Sequence, residues 1–384
     1  MLPKVQPLAA SGDQAVLHPH WQQDDHLIAI LADNARRFPD RVALRERDRG
    51  IWQEYSWQDY LEQVLSFAAG LEQLGIQPED NLLVIGDNRP ALYFGMLGAI
   101  ALRAVPSPAY PDTVPEELAG QLKRESIRYA LAEDQEQVDK LLQIREQYPE
   151  LGTIIYDDPR GLAGKEPPGV IAYTDVVARG RERLARESGL REDLLRRATA
   201  HDVAVLLHSS GTTGTPKVHM AYLPMAWVGD FIFSVGAALV LRFTVNIPEG
   251  QETAFHDLRE IAPTLFFCSP RAWSNMLTRI QVGMDESTGL KRWLYRYFMP
   301  FAIELERRRL EGQAPTAGER LKRAIGEILI YGPIKDHLGL ARVRHPYTAG
   351  EAIGEDVFLF FRALGLNLRQ FYGQTENCAL AAAQ

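Results

Sequence analysis

Residues 209–217 read Ser209-Ser210-Gly211-Thr212-Thr213-Gly214-Thr215-Pro216-Lys217. Each of the first six carries either a hydroxyl or no side chain. Glycine lets backbone N–H groups approach a ligand closely, and hydroxyls and a closing lysine add donors. The apolar run Val203-Ala204-Val205-Leu206-Leu207 precedes this stretch and reads as a buried strand. A strand that enters a Gly/Thr loop closed by lysine reads as a phosphate cradle. It is not the ordinary nucleotide P-loop, which needs a glycine, four residues and then Gly-Lys-Ser/Thr opening a helix. Here Gly211 and Gly214 stand too close together, Pro216 precedes the lysine and Val218 follows it.

Working outward, hydrophobic periodicity predicts alternating helices and strands on the N-terminal side of the loop. Helices are expected near residues 26–38, 56–75, 89–103, 114–124, 134–147 and 175–197. Strands are expected near residues 41–45, 81–85, 128–132 and 152–156, with residues 106–111 as a turn-rich loop. Ser56 is placed to cap its helix and Gly75 to end it. On the C-terminal side, residues 231–245 read as a helix followed by a strand, residues 264–269 as a strand, and Pro270 as a helix start. Residues 290–310 mix aromatics with arginines. Such a basic aromatic helix could lie on a membrane; we read it instead as an amphipathic helix with its aromatics turned inward and Glu304 and Glu306 offsetting Arg307 to Arg309. Residues 344–348, 355–364 and 367–372 form a strand–helix–strand unit, which brings the Gly350 turn and Tyr372 to one sheet edge, where α/β folds bind ligands. The pattern is an α/β fold of two lobes with mainly parallel sheets, at residues 26–200 and 201–384, preceded by a Pro-rich arm at residues 1–25.

Composition narrows the function. A net charge of −8 argues against non-specific nucleic-acid binding, which runs on basic surface. The two cysteines have neither metal spacing nor a disulfide pattern, which fits a reducing cytoplasm. The histidines show no paired ligand spacing, so none is assigned to a metal. The N-terminus lacks the compact apolar segment of a signal peptide. The most apolar run, residues 231–245, is shorter than a membrane span, so membrane contact is expected to be peripheral at most.

The 209–217 loop resembles the phosphate-loop signature of the adenylate-forming (AMP-binding) superfamily, which includes the acyl-CoA synthetases. Tyr372-Gly373-Gln374-Thr375-Glu376 resembles that superfamily's second signature, in the right order. Between them, Tyr347-Thr348-Ala349-Gly350-Glu351-Ala352-Ile353 resembles its adenine-binding segment, and Tyr222 to Trp227 resembles the segment bordering the acyl pocket. The similarity is greatest to long-chain fatty acid–CoA ligases and runs from about residue 26 to the C-terminus.

The resemblance implies the large N-terminal domain of an acyl-CoA synthetase and an ATP-dependent acid–thiol ligase. A carboxylate attacks the α-phosphate of ATP, giving an acyl-adenylate, and the thiol of coenzyme A then takes the acyl group. A carboxylate is already a nucleophile at neutral pH, so the first step needs positioning and charge neutralisation, not a general base. By resemblance, Ser210, Gly211, Thr212, Thr213 and Gly214 cradle the β- and γ-phosphates and Lys217 adds positive charge. Thr375 donates to the α-phosphate. Glu376 holds a phosphate-bound Mg²⁺, with Ser209 or Thr212 as a hydroxyl ligand. Tyr372 and Gly373 flank adenine, and the backbone of Gly350, Glu351 and Ala352 reads the base edge. Trp227 and Phe231 are candidate walls of an acyl pocket.

Three departures accompany the match. Val218 stands where the family has glycine after the lysine. Met220 runs directly into Ala221 and Tyr222, where the family places a helix and a strand. The sequence ends at Gln384, before the family's ribose-binding aspartate and the small lid domain that carries its adenylation lysine. The chain alone is therefore expected to give little or no complete turnover. The alternative is a nucleotide- or acyl-binding remnant, or a half-enzyme that needs a separate C-terminal part.

Overall fold

The computed structural model describes residues 25–162, 164, 166–206, 218–250, 252–372 and 382–383. The described chain opens with helix α1 (Leu27–Arg37), the strands β1 (Val42–Asp48) and β2 (Ile51–Ser56), and helix α2 (Trp57–Gln73). Ser56 caps α2 as expected: its hydroxyl accepts from Asp59 N, and Ser56 N donates to the Asp59 carboxylate. Strand and helix then alternate through β3 (Asn81–Ile85), α3 (Pro90–Ala101), β4 (Val105–Ala109), α4 (Pro115–Arg124), β5 (Tyr129–Ala132), α5 (Gln135–Arg145) and β6 (Thr153–Tyr156). After β7 (Val170–Ala172) come α6 (Tyr173–Arg186) and α7 (Leu190–Arg197). These five strands, β3 to β7, form one sheet in the order β4-β3-β5-β6-β7, parallel throughout.

The C-terminal half supplies β8 (Val218–Met220), then α8 (Val228–Asp230), which runs through a π-helical segment (Phe231–Ala237) into α9 (Ala238–Leu241). It continues with β9 (Thr244–Ile247), α10 (Ala254–Ile261), β10 (Leu265–Phe267), α11 (Pro270–Asp285) and α12 (Gly289–Leu310). Next are α13 (Ala317–Gly326), a π turn (Glu327–Tyr331), α14 (Gly332–His337), β11 (His345–Thr348), α15 (Glu355–Ala363), β12 (Arg369–Tyr372) and β13 (Ala382–Ala383). The second sheet runs β13-β12-β11-β10-β8-β9-β1-β2. It is parallel from β12 to β1 and antiparallel at its two outer pairs.

The mainly parallel α/β reading holds, but several local expectations do not. β1 and β2 belong to the second sheet, so the sheets do not divide at residue 200: β1 pairs with β9, Leu44 opposite Val245 and Arg45 opposite Asn246. Residues 106–111, read as a loop, largely form β4, which is buried along its whole length. Pro106 and Pro108 are tolerated because β4 is an edge strand with β3 as its one partner in the sheet. The expected strand at residues 203–207 is not formed in its described part. Residues 203–206 are irregular, Val203 is exposed, and Leu206 N donates to Pro106 O along the outer side of β4. The expected long helix at residues 175–197 is two helices, broken at Gly189 with φ +90°. In α12, Phe298, Met299, Ala302 and Leu305 face inward, but Trp293 and Tyr297 do not: both are exposed.

Helices α2 and α6 approach closely at two glycines. A Cβ on Gly180 would stand 1.7 Å from Ser66 O, and one on Gly70 would stand 2.0 Å from Val176 O. Gly180→Ala must push two backbones apart and is expected to destabilise by about 1–3 kcal/mol. Gly318→Ala, where a Cβ meets nothing within 4 Å, should be neutral or stabilising. Urea denaturation of both variants checks the contrast, and equal midpoints would remove the close-approach argument.

Candidate functional site

The strand–helix–strand unit β11–α15–β12 does what its sequence implied. β11 and β12 are adjacent and parallel, with Tyr347 opposite Arg369 and Thr348 opposite Gln370. Both leave the sheet at its carboxyl edge. Gly350 lies two residues past β11 with φ +100°, a conformation that favours glycine. Gly350, Glu351 and Ala352 are exposed, so their backbone is open to a ligand. Gln370 of β12 fixes this turn from both sides: its amide donates to Glu351 O at 3.0 Å and its carbonyl accepts from Ile353 N at 3.2 Å. The turn is thereby held against the strand that ends at Tyr372.

An aromatic layer lies under the turn. Trp227 is half-buried, and a Cβ on Gly350 would stand 3.5 Å from its Cζ2 atom. Trp227 stacks on Phe267 with centroids 5.6 Å apart, and Tyr347 stacks on Phe371 at 4.4 Å. Phe231 is placed elsewhere. It is buried in the main core with Met225 and Val235, whereas Trp227 packs on a separate cluster around Phe267 and Tyr347. Ser209, Ser210, Gly211, Thr212, Thr213, Gly214 and Lys217 lie outside the described residues, as do Gly373, Thr375 and Glu376. The first residue after the loop, Val218, sits at the amino edge of β8, which runs parallel between β9 and β10. The described residues contain no cluster of three or more His, Cys, Asp or Glu suited to a metal. Cys268 is free and buried.

Sequence reasoning missed a buried polar cluster beside this layer. Asp230 is 1 % exposed and accepts from the Tyr93 hydroxyl at 2.7 Å, the Ser234 hydroxyl at 2.8 Å and the Asn88 amide at 3.4 Å. Ser234 Oγ also lies 3.4 Å from Nε2 of His219, which is itself buried. Burial raises the Asp230 carboxyl to about 7, against the opposing pull of its three donors. Burial alone lowers His219 to about 3, so the imidazole is neutral. Nδ1 of His219 has no hydrogen-bond partner among the described residues. Asn88 also donates to Leu223 O at 2.9 Å, which ties the first sheet's β3–α3 loop to the segment preceding Trp227. The legible signal was the one carboxylate in a mostly apolar stretch, Val228 to Leu241.

Comparison with known proteins places this geometry. The family profile described as AMP-binding enzyme matches residues 31–220 and 217–384. The two segments overlap at residues 217–220. The chain is 22 % identical over 382 residues to long-chain-fatty-acid–CoA ligase ACSBG2 of Xenopus laevis, covering 91 % of this chain and 50 % of that protein. It is 23 % identical to human long-chain-fatty-acid–CoA ligase ACSBG1, covering 89 % of this chain and 50 % of the relative. It thus spans about half the length of the curated relatives it matches. Among solved structures, the A-PCP didomain of a carboxylic acid reductase from Segniliparus rugosus, in complex with AMP, superposes with a TM-score of 0.65 at 17 % identity. That match covers 94 % of this chain and 54 % of the didomain. With a profile matched on both sides of residue 217, and a fold shared with adenylation domains, the chain belongs to the AMP-binding enzyme family.

Proposed function

We propose that this chain forms the nucleotide- and acid-binding part of an AMP-forming acid–thiol ligase that acts on fatty acids. The observation that carries the reading is the juxtaposition of the exposed Gly350–Ala352 turn with the end of β12 on neighbouring parallel strands. Exposed backbone on a glycine turn, fixed by Gln370 and floored by Trp227, suits the edge and face of a planar base. On this reading Gly350, Glu351 and Ala352 recognise adenine, with Tyr372 and Gly373 beside it. Ser210, Gly211, Thr212, Thr213, Gly214 and Lys217 hold the β- and γ-phosphates, and Thr375 donates to the α-phosphate. Glu376 and Ser209 offer the hard oxygens that Mg²⁺ prefers, and the ion would supply charge neutralisation at the phosphates. The carboxylate of a fatty acid attacks the α-phosphate and pyrophosphate leaves. The thiol of coenzyme A then displaces AMP from the acyl carbon. Trp227 borders the acid, where its aromatic face excludes water from the mixed anhydride.

ATP–pyrophosphate exchange with Mg²⁺ and a panel of medium- and long-chain fatty acids tests the first step without the thiol. Exchange that depends on a fatty acid and is lost in Glu376→Ala, by at least about a hundredfold, is the expected result. A folded chain that binds ATP but gives no exchange would replace this reading with a nucleotide-binding one. A specific observation favours that second reading: β8, directly after the loop, is three residues long and leads at once into the segment preceding Trp227.

A further inference from the structure

The large apolar side chains left exposed are concentrated in one part of the molecule. Twelve are exposed among the described residues, and nine of these fall between Val282 and Leu329. Six of the nine form two stripes on neighbouring helices. On α12, Leu290, Trp293 and Tyr297 recur at helical spacing, and the Trp293 and Tyr297 rings stack at 5.7 Å. On α13 and the π turn after it, Leu321, Ile325 and Ile328 do the same, with Ile328 76 % exposed. Lys322 joins the stripes, its ammonium 4.1 Å from the Tyr297 ring centroid and 4.2 Å from that of Phe301. Of α13, Gly326 alone is buried, so this helix turns its apolar side away from the core.

The segment that carries this face is net basic, unlike the chain as a whole. Residues 271–337 carry twelve Lys and Arg against eight Asp and Glu, in a chain whose net charge is −8. Arg279, Lys291, Arg296 and Arg320 are exposed around the stripes. The carboxylates nearby are Asp285 and Glu286 at the end of α11, with Asp285 3.9 Å from Arg296, Glu304 on α12, which Arg307 engages at 3.2 Å, Glu319 on α13, which Arg308 holds, and Glu327, which Lys335 engages at 2.8 Å. Between α11, the π turn and α14 lies a cavity of about 250 Å³ walled by Ile280, Met284, Leu329 and Ile330. Arg279, Lys291 and His337 also line it, and no carboxylate does.

We propose that this face docks on an anionic lipid surface, with the Trp293 and Ile328 stripes entering the headgroup–acyl boundary. Arg279, Lys291, Arg296 and Arg320 then meet the lipid phosphates. Exposed tryptophan and tyrosine beside aliphatic side chains, ringed by Lys and Arg, is the composition of an interfacial helix pair. The basic rim selects an anionic membrane over a neutral one. A second copy of this chain would bring the same basic rim against itself, which like charge disfavours. The proposal is independent of the reading of the nucleotide site.

Flotation of the full chain with phosphatidylcholine vesicles, and with vesicles of phosphatidylcholine and phosphatidylglycerol in equal parts, tests it. Binding is expected to the anionic vesicles, to fall in high salt, and to drop at least about tenfold in Lys291→Glu/Arg296→Glu and in Trp293→Ser/Ile328→Ser. All four side chains are exposed or on the surface of their helices, and a circular dichroism spectrum unchanged from the parent verifies the fold. Brominated lipid should quench fluorescence in the parent more than in Trp293→Phe. Absence of vesicle binding, or equal binding by the parent and both variants, overturns the proposal. So does a parent dimer that Trp293→Ser/Ile328→Ser makes monomeric without vesicle binding, which would assign the face to a second copy.

Discussion

Relative to the native chain, Asp230→Asn is expected to gain on the order of 4 kcal/mol of stability as pH rises from about 4 to about 7. The folded carboxyl is raised from 3.8 to about 7 by burial, while in the unfolded chain it ionises at its ordinary value. Between those two values the folded state holds a proton that the unfolded state has released, so stability falls as pH rises. The shift is roughly three units at about 1.4 kcal/mol each, an upper figure for a group with three hydrogen-bond donors. Asparagine mimics the protonated acid and does not titrate. His219 works in the opposite direction. Its folded value is lowered from 6.5 to about 3, so the unfolded chain binds the extra proton, and stability rises with pH across that window. In the native chain the two slopes oppose each other, and total stability changes little where the windows overlap. Asp230→Asn exposes the rising His219 slope alone. Urea denaturation of both proteins at several pH values measures the difference directly. A difference that does not change with pH would mean that Asp230 is ionised in the folded chain.

How much of this was legible beforehand depended on whether the deciding contacts were local. β3 was read with its observed bounds because Asn81 to Ile85 is a short apolar run between turn signals. The Gly350 turn and β12 were brought to one edge by a βαβ rule that operates within about thirty residues. β4 was missed because its two prolines read as breakers, and only its place at a sheet edge makes them harmless. The exposed aromatics of α12 were read inward because periodicity finds the apolar residues of a helix without saying which stripe meets the core. The Asp230 cluster was illegible for a stronger reason. Tyr93 and Asp230 are 137 positions apart, and a polar residue inside an apolar run does not reveal its partners. Of the candidate site, the chain order of the motifs was readable by resemblance. The support of the Gly350 turn by Gln370 and Trp227 was not, because it needs three separate segments in register.

The same distinction governs what holds the N-terminal hairpin to the second sheet, where Asp257→Ala is expected to cost about 3–5 kcal/mol. β1 alternates clearly in sequence, but its parallel partner β9 lies about two hundred residues away, and three hydrogen-bonded positions alone would hold it weakly. Asp257 on α10 supplies the rest. It is 1 % exposed and accepts from Arg47 of β1 at 2.6 Å, from Glu249 N at 3.0 Å and from the Thr253 hydroxyl at 3.0 Å. Removing the carboxylate takes the buried partner from a guanidinium that is 13 % exposed, leaving it the more exposed Glu260 at 2.8 Å and Glu249 at 4.0 Å. Replacing both partners by apolar residues, as in Arg47→Met/Asp257→Leu, removes the uncompensated charge and should recover part of the loss. The ordering single below double below native separates a buried ion pair from simple loss of side-chain volume, which would make the double variant the worse of the two. Hydrogen exchange locates the damage. In Asp257→Ala the amides of Arg45 to Arg47 should exchange faster, while those of β3 to β6 in the first sheet stay protected, because the pair touches the second sheet only. Uniform loss of protection in both sheets would mean that they unfold as one unit and that the hairpin is not separately anchored.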